Sequence, residues 1–175
     1  IDKTIAQFER IYEIDALNEN ALENLHRLYK QTNHAKLAEI LEHRIESGAQ
    51  PINDIRFELV ELKLDSEPEA ALELLKSILW EDKAYDKAYD ALEKLLAHKT
   101  LTLDIAEFLA PRYAETGENE KQASLLKARI DVTEDNMDAI TLLKELAKLE
   151  QDVLNDEKAA FDTYVKALAK DPADT

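Results

Sequence analysis

Residues 72–95 read Leu72-Glu73-Leu74-Leu75-Lys76-Ser77-Ile78-Leu79-Trp80-Glu81-Asp82-Lys83-Ala84-Tyr85-Asp86-Lys87-Ala88-Tyr89-Asp90-Ala91-Leu92-Glu93-Lys94-Leu95. Leu72, Leu75, Ile78 and Leu79 fall on one helical face, and Ala88, Leu92 and Leu95 fall on another after a short polar break. The same hairpin is written 67 residues earlier, where Ile5, Phe8, Ile11, Asp15, Ala21, Leu25 and Leu28 stand for Leu72, Leu75, Ile78, Asp82, Ala88, Leu92 and Leu95. That offset is about two periods of a roughly 34-residue helical repeat. A third, partial copy closes the chain, with Phe161, Tyr164, Ala167, Leu168 and Asp171 in place of Leu72, Leu75, Ile78, Leu79 and Asp82. The spacing predicts an all-α fold, an α-α superhelix in which each helix pair buries its apolar stripe against the next.

Composition agrees. The 175 residues are 45% apolar, enough for one extended domain over 1–175 with a continuous core. Two glycines and four prolines leave little for β-hairpin turns or phosphate-binding loops. The net charge of −16 repels phosphate backbones and anionic membrane surfaces, so neither nucleic acid nor membrane is an expected partner. The acidic excess reads as a solvated surface, with a basic partner as the sharper alternative. No cysteine is present, which excludes disulfides, thiolate metal sites and a cysteine nucleophile. A cytoplasmic location fits this composition, with a periplasmic or secreted one left open. No apolar run reaches the roughly 18 residues of a membrane span. The opening at Ile1 in mid-hairpin sequence and the close after Asp171-Pro172 suggest a segment of a longer array.

Ten antiparallel helices are expected, near 2–14, 18–31, 34–47, 51–64, 67–80, 84–98, 102–116, 118–133, 136–152 and 155–170. Gly48 and Thr116-Gly117 are helix stops, and Pro51 suits the first turn of the next helix. Ser66-Glu67-Pro68-Glu69 reads as a capping box, and Asn18, Asn155 and Thr100 or Thr102 as further N-caps. Pro111 interrupts a helical pattern, so the helix either kinks there or ends near Ala110 and restarts. Residues 38–45 match 123–130 at an offset of 85, which is 18 more than the first register. One extra helix between Lys99 and Tyr113 accounts for the difference, and an odd helix is expected to alter local twist.

The last hairpin carries Ala160, Tyr164, Ala167, Leu168 and Pro172 in the order A-x3-Y-x2-A-L-x3-P. This resembles the second helix of a tetratricopeptide (TPR) repeat, in which small residues allow close approach and the aromatic fills the gap between hairpins. Ala71, Leu75, Ile78 and Leu79 keep the pattern with Lys83 in place of proline, and Thr4, Phe8, Ile11 and Tyr12 keep it more loosely. Leu22, Leu25 and Tyr29 fit a first helix, where His26 replaces the usual small residue; the consensus Trp and Gly are missing. Residues 28–32, 37–46 and 109–113 are similar to large, divergent TPR-like proteins of bacteria, and HEAT-like arrays share the same period. The resemblance implies a non-catalytic scaffold or adaptor that binds a protein or peptide on the concave face of its first helices. On that alignment Asn20, Glu23, Arg27, Lys30 and Gln31, with Lys87, Asp90, Lys94, Ala97 and His98 as counterparts, would face the groove. Their mixed charge suits a polar or carboxylate-bearing peptide. The Lys/Asn pattern of a chaperone-tail carboxylate clamp is not reproduced.

No catalytic, cofactor or metal residues are assigned. Glu39 and His43, four apart, could share a cation but read as an exposed helical pair. Asp131, Glu134, Asp135 and Asp138 lack the turn glycine of a calcium loop and suit a helix N-terminus near Asn136. Trp80, Tyr85 and Tyr89 read as packing between hairpins. No Ser-His-Asp, HExxH or phosphate-loop pattern occurs, so an enzyme is not expected within these residues. Alternatives are self-assembly through apolar end faces, or a regulatory arm of an enzyme whose catalytic part lies elsewhere.

Overall fold

The computed structural model describes residues 1–170. It is all-α. The helices are α1 (Asp2–Ile14), α2 (Glu19–Thr32), α3 (Leu37–Glu46), α4 (Ile52–Lys63), α5 (Pro68–Glu81), α6 (Asp86–Leu95), α7 (Thr102–Thr116), α8 (Asn119–Val132), α9 (Asn136–Asp152) and α10 (Glu157–Lys170), with a 3-10 turn at Lys99–Leu101 before α7. The chain divides into two compact units, Ile1–Ala91 and Leu92–Thr175.

In the first unit α1 packs on α2, α2 on α3, α3 on α4 and α4 on α5. The repeat positions make this packing. Ala21, Leu22, Leu25, Leu28 and Tyr29 bury one face of α2, and Ile40, Leu41, Ile55 and Leu59 of α3 and α4 close on them. Burial of each such side chain contributes roughly 1.5–3 kcal/mol. In α5 the counterparts Leu72, Leu75, Ile78 and Leu79 are all buried. In α1 only Ile5 is buried, and Ile11 is 38% exposed: α1 packs on α2 and meets α3 through Tyr12, and the face carrying Ile11 stays open among the described residues. In the second unit the 3-10 turn and α7 pack on α8, α8 on α9, and α9 on α10. The extra helix expected after Lys99 is α7, and it runs unbroken through Pro111.

Several local expectations are corrected. Ser66 and Glu69 form no capping box: Glu67 occupies the N-cap of α5 without a side-chain bond, and Pro68 opens the helix. Leu101, with no side-chain bond, occupies the cap position of α7, while Thr102 is buried as its first residue. Asn155 takes a left-handed conformation (φ 54°), and the cap passes to Asp156, whose Oδ1 accepts from Ala159 N at 2.9 Å. Asn18 does cap α2, accepting from Ala21 N at 3.1 Å. Gly48 and Gly117 adopt positive φ, and Gly117 forms the C-cap of α7. Asp135 caps α9 through Asp138 N.

Aromatic packing differs from expectation at two places. Trp80, on the last turn of α5, is 73% exposed. On α10 the buried residues are Ala160, Thr163 and Ala167, whereas Phe161, Tyr164 and Leu168 are exposed. The register explains this: α10 turns its small residues toward α9, which leaves the aromatic face outward. Tyr85 and Tyr89 are half-buried, and the Tyr85 ring packs on Phe57 with centroids 5.6 Å apart. Asp171 and Pro172 of the repeat pattern lie outside the described residues.

Candidate functional site

Helices two apart in the chain meet side by side in the first unit. Glu58 of α4 accepts from His26 Nε2 of α2 at 3.0 Å and from Lys30 Nζ of α2 at 3.1 Å. Further along α4, Asp54 accepts the Tyr85 hydroxyl at 2.9 Å, and Lys87 at the start of α6 sits 5.8 Å above the Phe57 ring. So α2, α4 and the first turn of α6 share one polar face. On the other helices, the Tyr12 hydroxyl of α1 contacts Glu39 Oε1 at 2.8 Å and His43 Nδ1 at 2.6 Å of α3. That contact explains why Glu39 and His43 stand four apart.

The face on α2 is ordered by its own side chains. Asn24 Nδ2 donates to Asn20 O at 2.8 Å and Asn20 Oδ1 at 3.0 Å, and Arg27 Nη2 donates to Asn24 Oδ1 at 3.3 Å. Residues three and four apart on a helix are neighbours, so these side chains form a ladder along the helix. Arg44 of α3 reaches over α2 and places Nη1 against His26 Nδ1. Since a guanidinium only donates, Nδ1 accepts and the His26 proton is assigned to Nε2, which donates to Glu58. Burial works to raise the Glu58 pKa, and the bonds from His26 and Lys30 outweigh it, holding the carboxyl below the usual range. A cleft of about 470 Å³ opens here, lined by Glu23, Asn24, His26, Arg27, Lys30 and Arg44. A neighbouring cleft of about 350 Å³ shares Glu23 and Arg44 and continues toward Ser47 and Gln50.

The residues named from sequence therefore fall in three places. Glu23, Arg27 and Lys30 line the cleft, while Asn20 supports it through Asn24. Gln31 is exposed on α2, and Lys87 and Asp90 are exposed on the first part of α6. Lys94 and His98 belong to the second unit, and His98 lies past the end of α6. There the last bonds tighten: Leu96, Ala97 and His98 N–H groups donate to carbonyls three residues back. Sequence reading missed Asn24, His26, Arg44 and Glu58 as site residues. Helical spacing from Asn20 signals Asn24, and a separation of 32 residues, about one repeat, signals the Glu58–His26 contact.

A larger cavity of about 620 Å³ in the second unit contains Arg129 among Glu134, Asp135, Asp138 and Glu145. It contains none of the residues named from sequence for the peptide groove; of the acids weighed there as a calcium loop it holds Glu134, Asp135 and Asp138, and Asp135 is engaged in capping α9. Among the described residues no three His, Asp or Glu side chains gather as a metal-ligand set. No helix among them is long and apolar enough to cross a membrane.

No protein-family model matches the chain, and no curated protein matches it. Among solved structures, a chain described as "Crystal structure of MamA" is similar at 17% identity and a TM-score of 0.41, covering 98% of this chain and 88% of that one. A likeness at that score decides nothing, so the fold assignment stands on the helices themselves.

Proposed function

We propose that this chain is a non-catalytic scaffold or adaptor that binds a polypeptide along the α2–α4 face. The observation supporting this reading is the cleft that joins Glu23, Arg27 and Lys30 with His26 and Arg44 on side chains already ordered by one another. A groove built on packed helices is preorganised, so little ordering entropy on the protein side opposes binding. The consecutive helices α2 and α3 supply its walls and Glu58 of α4 braces it through His26 and Lys30, which suits an extended peptide laid across several helices. The test is selection of binding peptides from a displayed library on the whole chain, followed by Arg27→Glu with Lys87→Glu. Peptide capture is expected to fall while helicity by circular dichroism stays unchanged. Unchanged capture by the double variant argues against this face.

A second reading, self-association, is favoured by α10. Phe161 (67% exposed), Tyr164, Val165 and Leu168 form an apolar stripe at helical spacing on its outer face. Light scattering over a concentration series is expected to show growth in mass that Phe161→Asp with Leu168→Asp removes; constant mass refutes this reading.

A further inference from the structure

We infer that the α2 cleft reads the carboxylates of an acidic peptide through Arg27 and Arg44, an assignment that rests on the α2–α4 face being peptide-binding. Several cations of the first unit are matched by carboxylates. Lys30 and His26 are held by Glu58, Lys36 lies 3.7 Å from Glu9, and Arg56 lies 2.7 Å from Glu81. Lys63 pairs with Glu42 and Glu67 at 2.9 Å, and Lys76 pairs with Glu73 at 2.9 Å. Arg27 and Arg44 instead have neutral partners, Asn24 and His26 respectively, and no carboxylate among the described residues pairs with either. Both line the same cleft.

The arrangement leaves donors in place. Each guanidinium carries five N–H groups and spends one nitrogen on its neutral partner, so a fork that matches a carboxylate remains on each. His26 and Asn24 act as positioning residues, since Glu58 orients the imidazole that steadies Arg44, and Asn20 steadies the amide that holds Arg27. Glu58 itself shows the preference of the face: a carboxylate already sits between a lysine and a histidine there. The lining holds three permanent cations, Arg27, Lys30 and Arg44, against the single carboxylate of Glu23. Outside the cleft the chain repels anions, with net charge −16, and that repulsion doubles for a dianionic phosphate. A singly charged side-chain carboxylate on a peptide is therefore the ligand these contacts favour.

The experiment uses the whole chain and three fluorescein-labelled peptide pools of equal length, identical except for two central positions holding Glu, Gln or phosphoserine. Fluorescence anisotropy is expected to show the Glu pool binding about tenfold more tightly than the Gln pool, as charged hydrogen bonds of this kind allow. Arg27→Gln and Arg44→Gln each lose most of that difference without changing Gln-pool binding, Arg44→Lys recovers part of it, and Arg10→Gln on α1 has no effect. Thermal melts by circular dichroism establish that the variants are folded, and Arg44→Lys reports on charge recognition where Arg44→Gln unfolds the cleft. Equal affinity for Glu and Gln pools overturns the carboxylate assignment and leaves the peptide-binding reading standing. Preference for the phosphoserine pool overturns it in favour of another anion, and binding of no pool overturns both readings.

Discussion

Glu150 of α9 accepts the Thr163 hydroxyl of α10 at 2.7 Å, with only 2% of the glutamate exposed. Its other oxygen is 3.0 Å from Lys127 of α8, so one carboxylate ties three consecutive helices. Removing a buried acceptor strands the donor it served. Glu150→Ala is expected to cost about 2–4 kcal/mol, Glu150→Gln less, and Thr163→Val about 1 kcal/mol. Urea midpoints at constant slope measure the differences; an Ala variant as stable as wild type removes the claim that this carboxylate joins the three helices.

Helix caps provide a paired test of the local structure. Asn18→Ala deletes the side-chain acceptor for Ala21 N and is expected to cost about 1 kcal/mol. Ser66→Ala deletes nothing, because the α5 cap makes no side-chain bond, and should stay within about 0.5 kcal/mol of wild type. Thermal melts of the two variants side by side decide it.

Gly117 ends α7 at φ 72° with open space around the position of a Cβ. The obstacle to a side chain is thus backbone conformation rather than crowding. Gly117→Ala should cost about 1 kcal/mol, and Gly117→Asn less, since asparagine tolerates the left-handed region; chemical denaturation compares them.

Stability should fall toward both ends of the pH scale for identifiable reasons. Burial and the bond to Asp54 push the Tyr85 hydroxyl up to about 12 from its usual 10.0. A raised pKa contributes stability that is whole below pH 10 and is lost between about pH 10 and 12. Glu58 has the opposite sign: its lowered pKa contributes above the usual value of 4.5 and is lost as pH falls through the folded value. Tyr85→Phe should therefore flatten the alkaline limb, and Glu58→Gln the acid limb, of denaturation curves taken across pH. Parallel curves for variant and wild type would refute either assignment.

The hairpins were legible in the sequence because burial follows a period. Ala21, Leu25 and Leu28 are buried as the repeat predicts, and so are their counterparts Ala88, Leu92 and Leu95. The same positions in α1 and α10 failed, since Ile11, Phe161 and Leu168 have the right spacing but lie on faces left exposed among the described residues. Periodicity gives the face of a helix, and what lies against that face is a tertiary fact. The cleft was half legible for the same reason. Arg27 and Lys30 followed from the α2 register, whereas Arg44 arrives from α3 and Glu58 from α4, a convergence that no single-helix pattern contains. Caps were the least legible, because Ser66 and Asn155 are good capping residues whose places were taken by Glu67 and Asp156.

Within each unit, packing of helices chiefly on their neighbours in sequence has a kinetic side. Contacts so local need little loop closure, so nucleation in either unit can begin at any hairpin and spread outward at speed. Amide exchange should then be graded, quickest in α1, where only Ile5 is buried, and slowest in α2 to α4, with terminal turns breathing open long before the interior lets go.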